Sequence, residues 1–186
     1  MKNLAVFLII ILIASCSTKE NTNTTTSSQA GKTEQQNMIT FDYKGKTILA
    51  PIHNASWVED ENMPVFNITA FFGDEGTSLY KQPQIAFNIH HLKPETTTVP
   101  KLKNLKDKET SGYMTITEFA ADGKQVYYTT YLPEATFVVN ITAHDLQNRY
   151  IEGTFAAVLF DDNGVKAEVT NGKFSSYYQV VTTSYK

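Results

Sequence analysis

From Met38 to Val181, apolar side chains fall at every second position in short runs, and turn residues stand between the runs. Successive side chains of a strand point to opposite faces, so a period of two means half-buried strands. Phe66, Ile68, Ala70 and Phe72 share one face, as do Ile85, Phe87 and Ile89, and Phe137, Val139, Ile141 and Ala143. Lys44-Gly45, Ala121-Asp122-Gly123 and Asp161-Asp162-Asn163-Gly164 are hairpin signals, because Gly, Asn and Asp tolerate the backbone of tight turns. Further strands are predicted over 150–160, 165–170 and 174–181. No 3.6-residue apolar period is sustained over three turns. The charged stretch from Pro94 to Thr110 reads as a long loop with at most one helical turn over 102–108. The pattern predicts an all-β domain of about nine or ten strands, an antiparallel β-sandwich, with a partly open β-barrel as the alternative. Nothing in the spacing demands closure, which favours the sandwich.

Composition agrees with strands. Aromatic residues make up 12% of the 186 residues, and Tyr and Phe supply 10 and 11 of them. The formal charge is −3, and removing Lys2 with the first fifteen residues would make it more negative. A chain with no basic surplus cannot neutralise a phosphate backbone, so nucleic acid is not an expected partner.

Met1-Lys2-Asn3 precedes an unbroken apolar run from Leu4 to Ile13, and Ala14-Ser15-Cys16 follows. As a helix this run would span ~15 Å, half of a ~30 Å hydrocarbon core, so it reads as a secretory signal and not as a permanent span. Cys16 is the only cysteine. An intramolecular disulfide and a multi-cysteine metal site are thereby excluded. Ile13-Ala14-Ser15-Cys16 resembles the lipobox of bacterial prolipoproteins. That resemblance implies cleavage before Cys16, lipid on its thiol and amino group, and a stable membrane anchor, since each buried methylene contributes ~0.8 kcal/mol. Ser17 follows where an Asp would favour inner-membrane retention, so the outer membrane is expected, with the face left open. Residues 17–37 contain no aromatic and no Val, Ile, Leu or Met. Such a segment buries too little apolar area to order itself, and predicts a flexible tether reaching roughly 25 Å. The organisation expected is thus a signal peptide over 1–15, a lipidated tether over 16–37 and one β domain over 38–186.

Ile141-Thr142-Ala143-His144-Asp145, Ile151-Glu152-Gly153-Thr154-Phe155 and Val169-Thr170-Asn171-Gly172-Lys173-Phe174 together resemble a family of uncharacterised β-rich lipoproteins of Bacteroidetes. The match covers about a quarter of the chain and implies fold and envelope location, with no catalytic residue to carry over. The residues also account for themselves. Gly153 within a strand points to a bulge or to packing beneath a large neighbour, Asn171-Gly172 to a tight turn, and Phe155, Phe174 and Val169 to the core.

His90 and His91 are adjacent and would face opposite ways on a strand, so a metal site would need His53 or His144 and a carboxylate alongside. Glu59-Asp60-Glu61, Asp74-Glu75 and Asp161-Asp162 sit beside turn residues, and no calcium loop pattern occurs. Neither a nucleophile elbow nor a phosphate-binding glycine loop is present. No metal or cofactor is called for. Aromatic residues are the more suggestive set. Tyr127, with Tyr128 and Tyr131, and Tyr177, with Tyr178, place rings on both faces of their strands. One of those faces must lie outside the core, where Tyr stacks on a sugar or a protein or merely pairs with cross-strand neighbours. Trp57 falls in a predicted loop, to anchor a ligand or plug the core. Three functions stand open: a lipid-anchored, non-catalytic envelope protein binding a glycan or protein through Trp57, Tyr127, Tyr131 and Tyr177; a periplasmic inhibitor or immunity-type lipoprotein; and a small envelope hydrolase.

Overall fold

The computed structural model describes residues 37–182 apart from 61–62, 74–76, 79–80, 105 and 107. Cys16, the signal and the tether expected before Asn37 lie outside the described residues. Eleven strands and no helix are described: β1 (Met38–Tyr43), β2 (Lys46–Glu59), β3 (Val65–Phe71), β4 (Gln84–His90), β5 (Thr98–Pro100), β6 (Ser111–Phe119), β7 (Gln125–Thr129), β8 (Thr136–Asp145), β9 (Tyr150–Phe160), β10 (Lys166–Tyr177) and β11 (Gln179–Thr182).

The all-β expectation is met, and the preferred sandwich is corrected. Neighbouring strands run β10-β1-β2-β3-β4-β6-β7-β9, and β9 also pairs with β10, so eight antiparallel strands close into a barrel. Closure depends on one pairing, Thr129 with Phe160 at the far end of β9. Along the rest of that edge β9 pairs with β8, and β8 with β5. The third extra strand, β11, runs parallel to β2 beside its second half. A sandwich and a barrel share the same period of two, and only pairing separates them.

The expected hairpins form with the backbone their residues suggest. Lys44 and Gly45 both have positive φ (49° and 74°), the geometry whose twist matches the flanking strands. In the β9–β10 turn, Asp161 Oδ1 accepts the N–H groups of Asn163 and Val165 at 2.9 and 2.7 Å, and Gly164 takes φ 77°. Three boundaries differ from expectation. β10 is one strand across the stretch read as two, because a bulge at Thr170-Asn171 lets it bend without ending. Asn171 therefore lies within a strand, at φ 52°, and not in a tight turn. The stretch after Pro94 contains the short strand β5, and the helical turn expected over 102–108 does not form among its described residues.

The barrel is filled by Phe41, Phe66, Phe87, Ile39, Ile68, Ile85, Ile89, Met114 and Ile116, all essentially without solvent contact. Each buried side chain of this size contributes roughly 1.5–3 kcal/mol. Gly153 admits a large neighbour, as expected: a Cβ there would lie 2.8 Å from the Phe174 ring and 2.4 Å from the Asn140 carbonyl oxygen. The two ends of the barrel are closed differently. At one, the Lys44 ammonium pairs with Glu118 and lies 5.2 and 5.3 Å from the Tyr43 and Tyr128 ring centres. At the other, Trp57 stacks on His144 (5.6 Å, 28°) and neighbours Tyr178 (6.1 Å).

A candidate binding wall on the outer face

Register decides which residues look outward. Across β2, β3, β4, β6 and β7 the pairings align Ser56, Asn67, Asn88 and Tyr113; Asn54, Thr69, Ala86, Thr115 and Thr129; and Phe71, Gln84, Thr117 and Tyr127. These rows face away from the core, as do Val58, Val65, His90 and Ser111. Gln179 and Val181 of β11 extend them beside Ser56 and Val58. No Asp, Glu, Lys or Arg stands at any of these outward positions, in a chain that is 19% charged. Burial lowers the His90 pKa, with His91 adding to the effect, so that imidazole is neutral at neutral pH as well.

Two motifs occupy this wall. The first is a row of amides. Asn54 Nδ2 donates to Asn67 Oδ1 (3.1 Å), and Asn67 Nδ2 donates to Asn88 Oδ1 (2.7 Å), while the Thr69 hydroxyl donates to the same Asn67 oxygen (3.3 Å). Each amide has two N–H donors and two acceptor lone pairs, so the row holds its members and keeps hydrogen-bonding capacity toward solvent. The second is an aromatic stack. His90 lies 5.8 Å from Tyr113 at 28°, and Tyr113 lies 4.6 Å from Tyr131 at 31°. Tyr131 stands two residues beyond the end of β7, yet is held on the sheet. The buried Thr130 hydroxyl accepts the Met114 N–H (2.9 Å), and Thr130 N–H donates to the Met114 carbonyl (3.0 Å). After it, the Lys101 ammonium donates to the carbonyls of Leu132, Pro133 and Ala135 at 2.6, 3.2 and 2.8 Å, which fixes the next turn. Tyr131 and Tyr127 remain 46% and 45% exposed. Burial is the largest influence on both hydroxyls and raises their pKa, so the rings carry no charge at neutral pH.

Of the residues proposed from sequence, Tyr127 and Tyr131 share this wall. Tyr177 does not. It lies at the Tyr150 end of β9, its ring 5.3 Å from that of Tyr150, whereas β7 meets β9 at Phe160. Ten residues of strand, ~33 Å, separate the two ends. The Tyr150 hydroxyl, which donates to Glu152 at 2.7 Å, has its pKa pushed up to about 12 by burial and by that carboxylate. Trp57 is not in a loop: it lies in β2 opposite Phe66, on the core side, and closes the barrel end. Behind it His144 Nε2 lies 3.2 Å from the Tyr178 hydroxyl, and burial lowers the His144 pKa. Sequence reasoning missed Tyr113, His90 and the three asparagines. The signal for them was the want of charge at alternate positions of 65–71, 84–90 and 111–119.

Elsewhere on the outer surface the charged outward positions include Asp42 on β1, Glu152 on β9 and Lys166, Glu168 and Lys173 on β10, while β8 is uncharged from Thr136 to Thr142. Lys166 pairs with Glu168, and Asp42 accepts the Asn171 amide (2.7 Å) and the Thr47 hydroxyl (2.6 Å), which lower its pKa. A concavity of about 540 Å³ lies over Asp42, Asn171 and Lys173, and another of about 960 Å³ lies between the β1–β2 hairpin and Phe71, Lys81 and Gln82. Among the described residues no group of three His, Cys, Asp or Glu could hold a metal ion. No protein-family model matches the chain, and neither a curated protein nor a solved structure is similar to it.

Proposed function

We propose that this protein is a lipid-anchored, non-catalytic envelope protein that holds a glycan on the uncharged wall. The observation that carries the reading is that wall itself: five strands whose outward positions hold amides, hydroxyls and stacked tyrosines and no formal charge. An exposed strand kept merely soluble would carry Lys and Glu, as β10 does with Lys166, Glu168 and Lys173. Sugars present hydroxyls, which donate and accept as amides do, and apolar C–H faces, which pack on tyrosine rings. The anchor rests on the lipobox resemblance at Cys16 and on the resemblance of residues 141–174 to envelope lipoproteins. Both lead to the cell envelope, and Ser17 after Cys16 favours the outer membrane, with a tether long enough to hold the domain clear of the headgroups.

Two experiments test the halves separately. Cys16→Ser should abolish acylation and cleavage before residue 16, and a product that still matures and sediments with membranes as before would overturn the anchor. Glycan binding by the purified protein should fall on substitution of Tyr113 or Tyr131, and binding indifferent to both would overturn the wall as its site.

A further inference from the structure

Resting on the glycan-binding reading, the geometry points to a narrower ligand: we infer that the wall takes an uncharged polysaccharide in extended form, lying across the strands along the line Asn54, Asn67, Asn88, Tyr113, Tyr131.

Direction comes from the hydrogen bonds. Asn67, Asn88 and Tyr113 stand directly across β3, β4 and β6, Asn54 on β2 reaches Asn67 diagonally from the neighbouring row, and the line continues to Tyr131 beyond β7. Neighbouring strands lie ~4.8 Å apart, so four steps make a row of roughly 19 Å. Several sugar rings are needed to cover that length. A monosaccharide would meet one or two of the five groups.

Charge class comes from what the wall lacks. A carboxylate or sulfate on the ligand would lose its water and meet no cation at any outward position of these strands, a cost that nothing offsets. Asn54 spends both N–H groups on Ser56 and Asn67, and Asn67 Oδ1 accepts twice, so a hydroxyl meets the Asn54 oxygen, the second N–H of Asn67, and the amide and second lone pair of Asn88. Tyr131, nearly half exposed at the end of the row, offers a ring to one sugar face. A protein partner would ordinarily be steered and set in register by complementary charges, and this wall provides none.

The test is electrophoretic retardation of the full protein in native gels containing neutral polysaccharides (β-glucan, galactomannan, xylan) or anionic ones (polygalacturonate, chondroitin sulfate). At least one neutral polymer should retard it, insensitively to added salt. Asn67→Ala and Tyr131→Ala should each weaken that retardation about tenfold, one hydrogen-bonding group or one ring at a time, with circular dichroism melting confirming the fold. Lys173→Ala, on β10, should behave as the parent. A long oligosaccharide should compete far better than a disaccharide. Retardation by anionic polymers alone, salt-sensitive binding, or a disaccharide competing as well as a long chain would overturn this inference and leave a glycan-binding protein. Retardation by neither class, or capture of a protein through the same tyrosines instead, would overturn both.

Discussion

The two outer surfaces of the barrel are made from strands of similar length and similar alternation, and they differ in what their polar residues do. On β1, β9 and β10 some outward groups are ionised, and most of these bond to a neighbour: Lys166 with Glu168, Asp42 with Asn171 and Thr47, Glu152 with Tyr150. Their bonding is largely internal, and exposed pairs of this kind contribute little to stability. On β2, β3, β4, β6 and β7 the outward groups are neutral, arranged in a continuous row, and left with unused donors, acceptors and ring surface. A surface needs charge to stay soluble and to avoid sticking. On the proposed reading, a wall that forgoes it over five strands suits a partner that is itself neutral.

Predictions follow from that contrast, the largest first. Trp57→Ala removes the aromatic plug of the barrel end. It should cost about 3 kcal/mol, the low end for large aromatic truncations because Trp57 is only partly buried. A Tm lower by roughly 10 °C in a thermal melt, with glycan binding per folded molecule unchanged, would separate the inward aromatics from the outward ones. A change in binding without a change in Tm would erase that distinction. The double variant Tyr113→Ala, Tyr131→Ala should do the reverse. Binding should fall about a hundredfold, as for two anchors of ~1.4 kcal/mol each, with a much smaller loss of Tm, whereas Glu152→Ala with Lys166→Ala should leave binding alone. Next, Asn88→Lys puts a cation in the middle of the line from Asn54 to Tyr131. Retention on neutral polysaccharide should drop about tenfold, and binding to anionic polymers should appear where the parent shows none.

The smallest expected effect is on pH. Burial lowers the folded-state pKa of His90 and His144 from 6.5. Above that value both are neutral in the folded and unfolded chains, and their contribution is constant. As pH falls below 6.5 the unfolded chain takes up the protons first, so stability declines until the lowered folded-state values are passed. Melts at falling pH should show that decline, and His90→Asn with His144→Asn should flatten it. A decline of the same size in the double variant would assign the effect elsewhere.

Most strands were legible because alternation is local. Phe66, Ile68 and Ala70, or Ile85, Phe87 and Ile89, announce their inward face within seven residues. What failed depended on partners distant in the chain. Trp57 reads as loop because the polar His53-Asn54 and the bulge there interrupt the alternation of β2, and only pairing with β3 restores it. β10 reads as two strands because Thr170-Asn171 breaks its period at the bulge. Closure turns on a single contact between Thr129 and Phe160, which no local pattern encodes. The site was legible by halves for the same reason. Consecutive tyrosines mark a strand with one ring outside, which located Tyr127 and Tyr131. The same signal at Tyr177 led to the β11 edge, away from that pair, and the asparagines joined the site only once register set Asn67 against Asn88.

The most direct test is to titrate the isotopically labelled protein with the soluble neutral polysaccharide that retards it most and to follow backbone amide and asparagine side-chain NMR signals. The account predicts shifts centred on Asn67, Asn88, Tyr113 and Tyr131, with β9 and β10 silent. Shifts centred on Asp42, Asn171 and Lys173 would contradict it.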